Sequence, residues 1–508
     1  MTTFSEEHQI NRRQLLKLAL LVSAASSPLI AASAATPTNL RLMLGRPTNN
    51  SVALSVIANR EVSAFIQFGI SKTRYSSKTA TKKLAAGSPE VFDLANLKTN
   101  AIIYYRVAYI ESGSSKVMYG PQYSFRTQRS KTSSFSFTLH GDTHPERKGK
   151  MFNEDLYKVA LGNVLAQKPD FHILMGDDFS IDPLISKGQA NAANVDKVYE
   201  THRQWLEIIG SSTPIFLVNG NHEQAAAYLL DGTTTNPAVL AGKSRVKYFP
   251  LPAPDEFYSV DKTQVEGIGY LRDYYAWEWG NALFVVMDPY WHSKNPVDNV
   301  AGELVAEDQG TPVKGQKKGT AGAGGTTGGG GNGKTTNQWN IGIGDDQYAW
   351  LKQTLEKSQA KFKFVFAHHV MGTGRGAVEI SENYEWGGKD PKGATTFQKE
   401  RPNWELPIHD LMVKNKVSIF FQGHDHIFVT QERDGLIYQS MPNPADDTFS
   451  YFNDSAYKSG TKAPNSGHVR VTVSEKSAEV EYFLAARAQD TSRKNLQIAH
   501  KYTVSPKA

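Results

Sequence analysis

Five short motifs place aspartate, asparagine or histidine directly after an apolar run. They are GDTH at 141–144, GDD at 176–178, GNHE at 220–223, VFAHH at 365–369 and GHDH at 423–426. Carboxylate oxygen, amide oxygen and imidazole nitrogen are ligands for hard and borderline metal cations. Each motif alone is a weak signal, but the five together indicate one metal centre at the ends of several strands. The chain contains no cysteine, which excludes thiolate metal sites and cysteine nucleophiles.

The stretch GGGGNGKT at 328–335 fits the phosphate-loop pattern G-x-x-x-x-G-K-[ST] letter for letter. Such a loop binds phosphate only when a strand enters it and a helix leaves it, because backbone N–H groups must converge on the anion. No strand-forming run precedes this stretch, and residues 315–337 form a Gly-rich insert of low complexity. We therefore expect no ATP binding at 328–335.

The elements around the five motifs alternate between strand-like and helical patterns. Helices are predicted at about 152–167, 195–209, 345–358 and 404–415. Asp345 and Asp346 are expected to cap the third of these helices. Alternating strands and helices predict an α/β layered domain with its functional groups at the carboxyl ends of the strands. The later runs HVRVTVS and SAEVEYFLAA predict a hairpin that completes the domain.

The segment before these motifs has a different pattern. Residues 36–127 contain short β-rich runs, such as SVALSVIA and SAFIQFGI, which are separated by turn residues. Regular short strands over this length predict an all-β sandwich, and LKTNAIIYYRV resembles the late strands of fibronectin type III-like domains. A polar linker at 128–134 leads from this sandwich to the α/β domain.

Taken together, the motifs carry a family resemblance. The order GDxH, GDxx, GNH[DE], VxxH, GHxH is the signature of calcineurin-like metallophosphoesterases, and residues 133–487 resemble that family, in particular its purple-acid-phosphatase group. Some members of that family also carry an N-terminal sandwich. The resemblance implies a four-layer αββα domain, followed here by a C-terminal tail at 488–508. It also implies a hydrolase that cleaves phosphate esters.

The same resemblance implies a set of ligands for two metal ions. The first metal would be bound by Asp142, His144 and His426, the second by Asn221, His368 and His424, and both by Asp177. A bridging carboxylate and a shared hydroxide reduce the repulsion between two cations, and that hydroxide would attack phosphorus in line. The ligand types fit Mn, Fe or Zn, and the sequence does not choose among these metals.

His222 follows a ligand position directly, and the family places this residue over the leaving group as a general acid or hydrogen-bond donor. Glu223 is a candidate to orient the His222 imidazole, with a surface carboxylate as the alternative. The chain departs from the group at one position. Purple acid phosphatases carry a metal-bound tyrosine in the form GDxxY, where this chain has Ser180. Their iron–tyrosinate colour is therefore not expected.

Several other polar residues are weaker candidates. His369 is expected to face away from the site, because consecutive side chains of a strand point to opposite faces. Arg375 is a candidate to contact a substrate phosphate, and the run DPYWH at 288–292 is a candidate to supply His292 or an aromatic wall, with packing as the alternative. His140 is expected to pack beneath the site. The remaining candidates are interpreted as ordinary helix residues: His202, Trp205 and His409.

Residues 1–34 carry an export pattern. Arg12 and Arg13 precede an apolar stretch that ends in the small residues ASA, which is typical of a secretory signal, and RRQLLK resembles the twin-arginine motif. We expect cleavage after Ala34 and a periplasmic or secreted mature protein, with an uncleaved membrane anchor as the alternative. No later segment reaches about 18 consecutive apolar residues, so no membrane contact is expected after signal removal.

Charge and motifs together limit the function. The formal charge of +6 suits an anionic substrate but is spread along 508 residues, so no stable nucleic-acid partner is expected. The leading hypothesis is an exported phosphomonoesterase that acts on a small phosphate ester with two metal ions. A phosphodiesterase or nucleotidase of the same fold is the alternative within this class. A non-catalytic periplasmic binding protein is the alternative from another class.

Overall fold

Most strands of the chain belong to two large sheets that lie face to face. The structure is a computed structural model, and it describes residues 38–294, 338–370, 374–390 and 392–507. The predicted signal at 1–34, the Gly-rich insert at 315–337 and its phosphate-loop-like stretch lie outside the described residues.

The strands and helices are numbered in chain order. The strands are β1 (Leu40–Gly45), β2 (Val52–Ala58), β3 (Val62–Gly69), β4 (Ser77–Lys78), β5 (Lys82–Leu84), β6 (Pro89–Leu94), β7 (Ile102–Glu111), β8 (Met118–Tyr119), β9 (Tyr123–Arg126), β10 (Phe135–His140), β11 (Phe171–Leu174), β12 (Ile215–Leu217), β13 (Ser259–Val260), β14 (Gln264–Val265), β15 (Gly269–Tyr270), β16 (Tyr275–Trp279), β17 (Ala282–Val286), β18 (Phe362–Phe366), β19 (Ile419–Gln422), β20 (Phe428–Arg433), β21 (Leu436–Ser440), β22 (Thr461–Ala463), β23 (Gly467–Val473), β24 (Ala478–Leu484) and β25 (Ile498–Val504). The α-helices are α1 (Glu154–Gln167), α2 (Asp182–Ser186), α3 (Ala192–Gly210), α4 (Pro237–Tyr248), α5 (Gly344–Lys357), α6 (Tyr384–Gly387), α7 (Phe397–Glu400) and α8 (Ile408–Lys414). Short 3₁₀ helices include Pro145–Arg147 and Asn221–Glu223.

The first large sheet has nine strands in the order β25-β24-β23-β10-β11-β12-β1-β2-β6. The second has eight strands in the order β13-β16-β17-β18-β19-β21-β20-β22. Strands β10, β11 and β12 are parallel in the first sheet, as are β17, β18, β19 and β21 in the second. Within each sheet the carboxyl ends of these parallel strands therefore lie at one edge.

Aromatic residues fill the space between the two sheets. Phe137 of β10 and Phe171 of β11 each lie 5.1 Å, between ring centroids, from Phe284 of β17. Helices α1, α3 and α4 contribute to a core on the outer face of the nine-stranded sheet, and α5 and α8 to one on the outer face of the eight-stranded sheet. This order of helix, sheet, sheet and helix confirms the predicted αββα architecture.

The predicted β-rich N-terminal region is present, and part of it extends the larger sheet. Strands β1, β2 and β6 continue the nine-stranded sheet, which they join where Gly45 of β1 pairs with Ile215 of β12. Strands β3, β4, β7 and β8, with β5 and β9, form a separate six-stranded sheet. Apolar residues of β1 and β2 share a buried cluster with those of β3 and β7.

The helix predictions hold for α1, α3 and α5 within a few residues, and the predicted hairpin is β23 with β24. The fourth helix is shorter than predicted, because α8 begins only after Pro407. The predicted capping role of Asp345 and Asp346 is wrong. Both lie in the first turn of α5, and the Asp345 carboxylate accepts a hydrogen bond from Trp404 Nε1 at 2.7 Å. No helix in the described part of the chain has the length and apolarity that crossing a bilayer requires.

Candidate metal centre

The seven predicted metal ligands follow the carboxyl ends of five strands. They are Asp142 and His144 after β10, Asp177 after β11, Asn221 after β12, His368 after β18, and His424 and His426 after β19. Each of these residues is at most 3% exposed. The structure thus brings together side chains from both sheets that are separated by up to hundreds of residues in sequence.

One group of ligand atoms comes from Asp142, His144, Asp177 and His426, whose candidate atoms all lie within 4.8 Å of one another. The Nε2 atoms of His144 and His426 are 3.3 Å apart. His426 Nε2 also lies 3.3 Å from Asp142 Oδ1, and His144 Nε2 lies 3.4 Å from Asp177 Oδ2. Two imidazole nitrogens and two carboxylates therefore converge on one point, which is a typical donor set for a divalent cation.

A second group comes from Asp177, His368 and His424 and meets the same distance criterion. His368 Nε2 lies 3.1 Å from Asp177 Oδ2, and His424 Nδ1 lies 3.1 Å from the amide oxygen of Asn221. Asp177 belongs to both groups. Its carboxylate therefore lies where two cations could share it.

The protonation of the rings fits a metal centre. His368 Nδ1 lies 2.7 Å from the Met175 carbonyl, which can only accept, so Nδ1 carries a hydrogen and a neutral ring would present the Nε2 lone pair to a cation. His144 Nδ1 similarly contacts Glu146 Oε1 at 2.8 Å. Among the described residues, His368 Nε2 and Asp142 Oδ2 are buried and have no hydrogen-bond partner. Bound cations would satisfy both atoms, which otherwise cost free energy in the folded state.

The backbone at the centre adopts a conformation that side chains rarely favour. Left-handed φ angles occur at Asp142 (57°), His144 (47°), Asp177 (59°), His424 (67°) and His426 (53°). Residues other than glycine seldom adopt such φ angles, and they keep them where surrounding contacts stabilise the conformation. Gly176 (φ 96°) must also be small, because a Cβ there would lie 2.6 Å from the Gly220 nitrogen. The motif glycines thus let two ligand loops approach each other closely.

The charges at the centre are strongly coupled. Burial opposes protonation of His144, but the Glu146 and Asp177 carboxylates raise its pKa to about 9. Burial likewise opposes protonation of His368, and the carboxylates of Asp177 and Asp142 raise its pKa to about 10. Burial alone would raise the pKa of Asp177, yet the neighbouring histidines, His368 first, hold it well below its usual value. The Asp177 carboxylate is therefore ionised, which binding of a metal would require.

Glu223 has a different role from the one that the sequence suggested. Its carboxylate accepts hydrogen bonds from the backbone N–H groups of Asp177 (2.9 Å), Asp178 (2.7 Å), Phe179 (3.0 Å) and Gly220 (2.6 Å). It joins the loop that carries Asp177 to the loop that carries Asn221, and it is 3% exposed. Glu223 is therefore a buried tie between two motif loops.

The exchange Glu223→Gln is expected to lower the free energy of unfolding by about 2–3 kcal/mol, because glutamine lacks the charge and the second acceptor oxygen that these N–H groups require. Urea unfolding of the metal-free protein measures the change. The exposed Glu266→Gln serves as the matched control, with an expected effect within about 0.5 kcal/mol. Equal effects of the two exchanges would contradict the assigned role.

His222 is oriented by a residue that sequence reasoning missed. Its Nδ1 lies 2.5 Å from Asp182 Oδ2, and its Nε2 lies 3.1 Å from the Arg147 guanidinium and 4.0 Å from Asp177 Oδ2. Burial lowers the pKa of His222, but the carboxylates of Asp177 and Asp182 outweigh it and raise that pKa. Sequence reasoning also missed Arg147. This residue follows the first motif closely in the chain, and a cationic side chain in that loop is the sequence signal that could have identified it.

Three of the weaker candidates from the sequence make hydrogen bonds with residues other than the predicted metal-ligand side chains. His369 faces Tyr290, whose hydroxyl lies 2.8 Å from His369 Nδ1, and His140 is buried beside His172 and Tyr157. Arg375 contacts the His424 carbonyl and the Asp425 carboxylate.

The remaining candidates are three helix residues and Ser180, which stands where purple acid phosphatases have a tyrosine. Trp205 contacts Glu154, and His409 contacts Tyr438 and Asp434. His202 is more than an ordinary helix residue, because its buried ring contacts the Asp178 carbonyl beside the bridging carboxylate. Ser180 lines a cleft of about 370 Å³ together with Glu146 and Trp205.

Comparison with known proteins supports the same interpretation. The family model of the calcineurin-like phosphoesterases matches residues 135–428. Among solved structures, a purple acid phosphatase, PPD1 from seeds of yellow lupin (Lupinus luteus), is 13% identical, with 93% of this chain and 75% of that chain covered at a TM-score of 0.59. The structure of PhoD is also 13% identical, with 91% and 88% covered at a TM-score of 0.57. At this identity the likeness concerns the fold, and no curated protein matches the chain.

Proposed function

The chain belongs to the calcineurin-like phosphoesterase family, whose members are metal-dependent phosphoester hydrolases, and from this premise we propose that it cleaves small phosphate monoesters. The proposal assigns one metal to Asp142, His144 and His426 and another to Asn221, His368 and His424, with Asp177 shared between them. Two cations bound in this way would supply Lewis-acid activation of water and of the phosphoryl group. Mn, Fe and Zn all suit these donors.

The protein's own groups provide proton transfer and positioning. With Asp182 holding the ring through Nδ1, a protonated His222 would donate from Nε2 to the leaving-group oxygen once the Arg147 guanidinium, which can only donate to Nε2, has turned to the substrate. The backbone N–H of His222 donates to Asp177 Oδ1 at 3.0 Å, so the acid and the bridging carboxylate are held in one relative position. Such preorganisation lowers the cost of reaching the transition state.

The observation that favours a monoester is the position of Arg147. Its half-buried guanidinium lies 3.1 Å from His222 Nε2 and 3.3 Å from Glu146 Oε1, and that carboxylate also contacts the predicted ligand His144. A monoester carries two negative charges on its phosphoryl end and a diester carries one, so an added cation favours the monoester. Arg147 would bind a phosphoryl oxygen and also limit room for a second alcohol.

The test is a comparison of p-nitrophenyl phosphate with bis-p-nitrophenyl phosphate, each with Mn²⁺, Fe²⁺ or Zn²⁺ restored to the metal-free protein. We expect kcat/KM to be higher for the monoester. Removal of the charge in Arg147→Met should raise KM for the monoester about tenfold, because a charge-assisted hydrogen bond to the phosphoryl group is lost. The same exchange should leave KM for the diester nearly unchanged.

The control is Arg147→Lys, which keeps the charge and should keep most of the monoester preference. Faster hydrolysis of the diester by the unaltered protein would replace the proposed substrate class with phosphodiesters. If Arg147→Met raised KM equally for both substrates, Arg147 would not be the residue that discriminates between monoester and diester.

The location of the enzyme is also a proposal. The twin-arginine pattern at 12–17 and the small-residue site before 35 support export of the chain, followed by removal of residues 1–34. The mature enzyme would then act on phosphate esters outside the cytoplasm.

A further inference from the structure

A third cluster of metal-ligating side chains lies apart from the seven residues of the centre. It consists of Asp261 after β13, Asp273 before β16 and His292 after β17, and one ligand atom from each lies within 4.8 Å of the others. Asp261 is 3% exposed and Asp273 is fully buried. His292 Nε2 lies 2.9 Å from Asp273 Oδ2 and 3.9 Å from Asp261 Oδ2.

The carboxylates of this cluster have more acceptor atoms than the nearby protein satisfies. Asp261 Oδ2 and Asp273 Oδ1 are buried and have no hydrogen-bond partner among the described residues. Within the same part of the chain, His292 is the one cationic side chain within ion-pair distance of either carboxylate. A protonated His292 could hold a single hydrogen bond from Nε2, which leaves one buried carboxylate without compensation.

We propose that Asp261, Asp273 and His292 bind a third divalent cation, of the Zn²⁺ or Mn²⁺ type. Two carboxylates neutralise the charge of such an ion, and the imidazole supplies the nitrogen that distinguishes this set from an all-oxygen calcium site. The bound cation would engage Asp261 Oδ2, which lies 3.9 Å from His292 Nε2 and meets no hydrogen-bond criterion among the described residues, although the Asp261 carboxylate also interacts with the Tyr274 side chain. His292 would then bind as the neutral ring.

The surroundings of the cluster add negative charge and exclude water. Asp288 is fully buried nearby, and burial together with the charge of Asp273 raises its pKa to about 7. The Tyr274 ring lies 5.4 Å from the His292 ring, between centroids, and covers one side of the cluster. The two buried carboxylates of Asp261 and Asp273 beside one histidine are better balanced by a divalent cation than by a single proton.

The cluster is connected to the catalytic centre by the loop that follows β17. Asp288 Oδ2 accepts a hydrogen bond from Asn219 at 2.7 Å, two residues before the metal ligand Asn221, and the Tyr290 hydroxyl contacts His369 beside the ligand His368. His292 lies in this loop, six residues after the end of β17. A cation bound by His292, Asp261 and Asp273 would therefore connect this loop to the ends of β13 and β16. Through the contacts of Asp288 and Tyr290 it would stabilise the segments that carry Asn221 and His368.

The test is the number of Zn²⁺ ions that remain bound per full-length chain after metal loading and gel filtration, measured by mass spectrometry. We expect three ions in the unaltered protein and two in both Asp261→Asn and His292→Ala. In the background of Asp177→Asn, which impairs the catalytic centre, one tightly held ion should persist and should be lost when His292→Ala is added. The loss of one ion in Asp261→Asn or His292→Ala can be measured whether or not the protein hydrolyses phosphate esters, so a failure of this proposal is distinguishable from a failure of the proposed function.

The matched control is His409→Ala. His409 is also a buried histidine paired with an aspartate, since its Nε2 lies 2.9 Å from Asp434 Oδ2, and within the described ranges Asp434 is the one carboxylate at ion-pair distance from it. This variant should keep all three ions. Asp261→Asn preserves the size of the side chain, so it answers the question if His292→Ala does not fold. Two ions in the unaltered protein, with no loss in Asp261→Asn, would overturn the proposal and leave the cluster as an ion pair.

Discussion

The exchange Asp177→Asn is expected to lower kcat/KM for p-nitrophenyl phosphate by roughly a thousandfold or more, because one change weakens both metal positions. Asp177 Oδ2 lies 3.1 Å from His368 Nε2 and 3.4 Å from His144 Nε2, so its negative charge serves both ligand groups. An amide of the same shape has no charge to reduce the repulsion between two cations. The steady-state rate and the metal content per chain are measured on the same sample, and both should fall.

The neighbouring exchange Asp178→Asn provides a closely matched control. Asp178 is equally buried, but its Oδ1 accepts from Thr143 Oγ1 at 2.5 Å, and no ligand group includes it. We expect the same metal content as the unaltered protein and an activity within about threefold of it. If Asp177→Asn kept its metals and its rate, or if both exchanges had equal effects, Asp177 would not be the shared ligand.

The second large effect is expected for His222→Ala. Its loss in kcat should depend on the basicity of the leaving group. A general acid contributes about 10²–10⁴-fold to a rate, and it contributes most when the leaving alkoxide is strongly basic. The loss in kcat should therefore be larger for an alkyl phosphate than for p-nitrophenyl phosphate. The metal content should not change, because neither group of ligand atoms includes His222.

The partner variant Asp182→Asn distinguishes proton donation from general damage to the site. Asp182 contacts His222 Nδ1 at 2.5 Å, and its side chain is partly exposed, so the exchange should weaken the acid without unfolding the chain. We expect a smaller loss with the same dependence on the leaving group, and a lower pKa on the alkaline limb of the pH–rate profile. An equal loss for alkyl and p-nitrophenyl esters in His222→Ala would argue against proton donation.

The centre combines unfavourable backbone conformations with many compensating contacts. The left-handed backbone conformations of residues such as Asp177 and His424 cost free energy in the folded state. The hydrogen bonds of Glu223 and the core between the sheets outweigh that cost. The contacts of the protein itself therefore hold the ligand loops in place. Such a site gains affinity because little ordering remains to be done on binding.

The sequence by itself determined the elements that position the centre. Apolar runs such as those of β10, β11 and β18 are strands because they are buried on both faces, and the motif glycines after them allow the sharp turns that follow. Helix α4 was also accessible to sequence reasoning, since Asn236 caps it and Pro237 occupies its first turn, although it was not predicted. The ligand types and their order indicated a metal centre at the strand ends, and the resemblance to calcineurin-like metallophosphoesterases implied two metal ions there.

Only the tertiary structure decided which neighbours these residues have. The contact between His222 and Asp182, the four bonds to Glu223 and the cluster around His292 all depend on the paths of loops with left-handed turns. The same holds for β1, which joins the larger sheet at Gly45 instead of staying in a separate sandwich. Periodicity and motif spacing report local burial and turn chemistry. Contacts between distant loops depend on sheet order and side-chain packing, which the whole chain determines together.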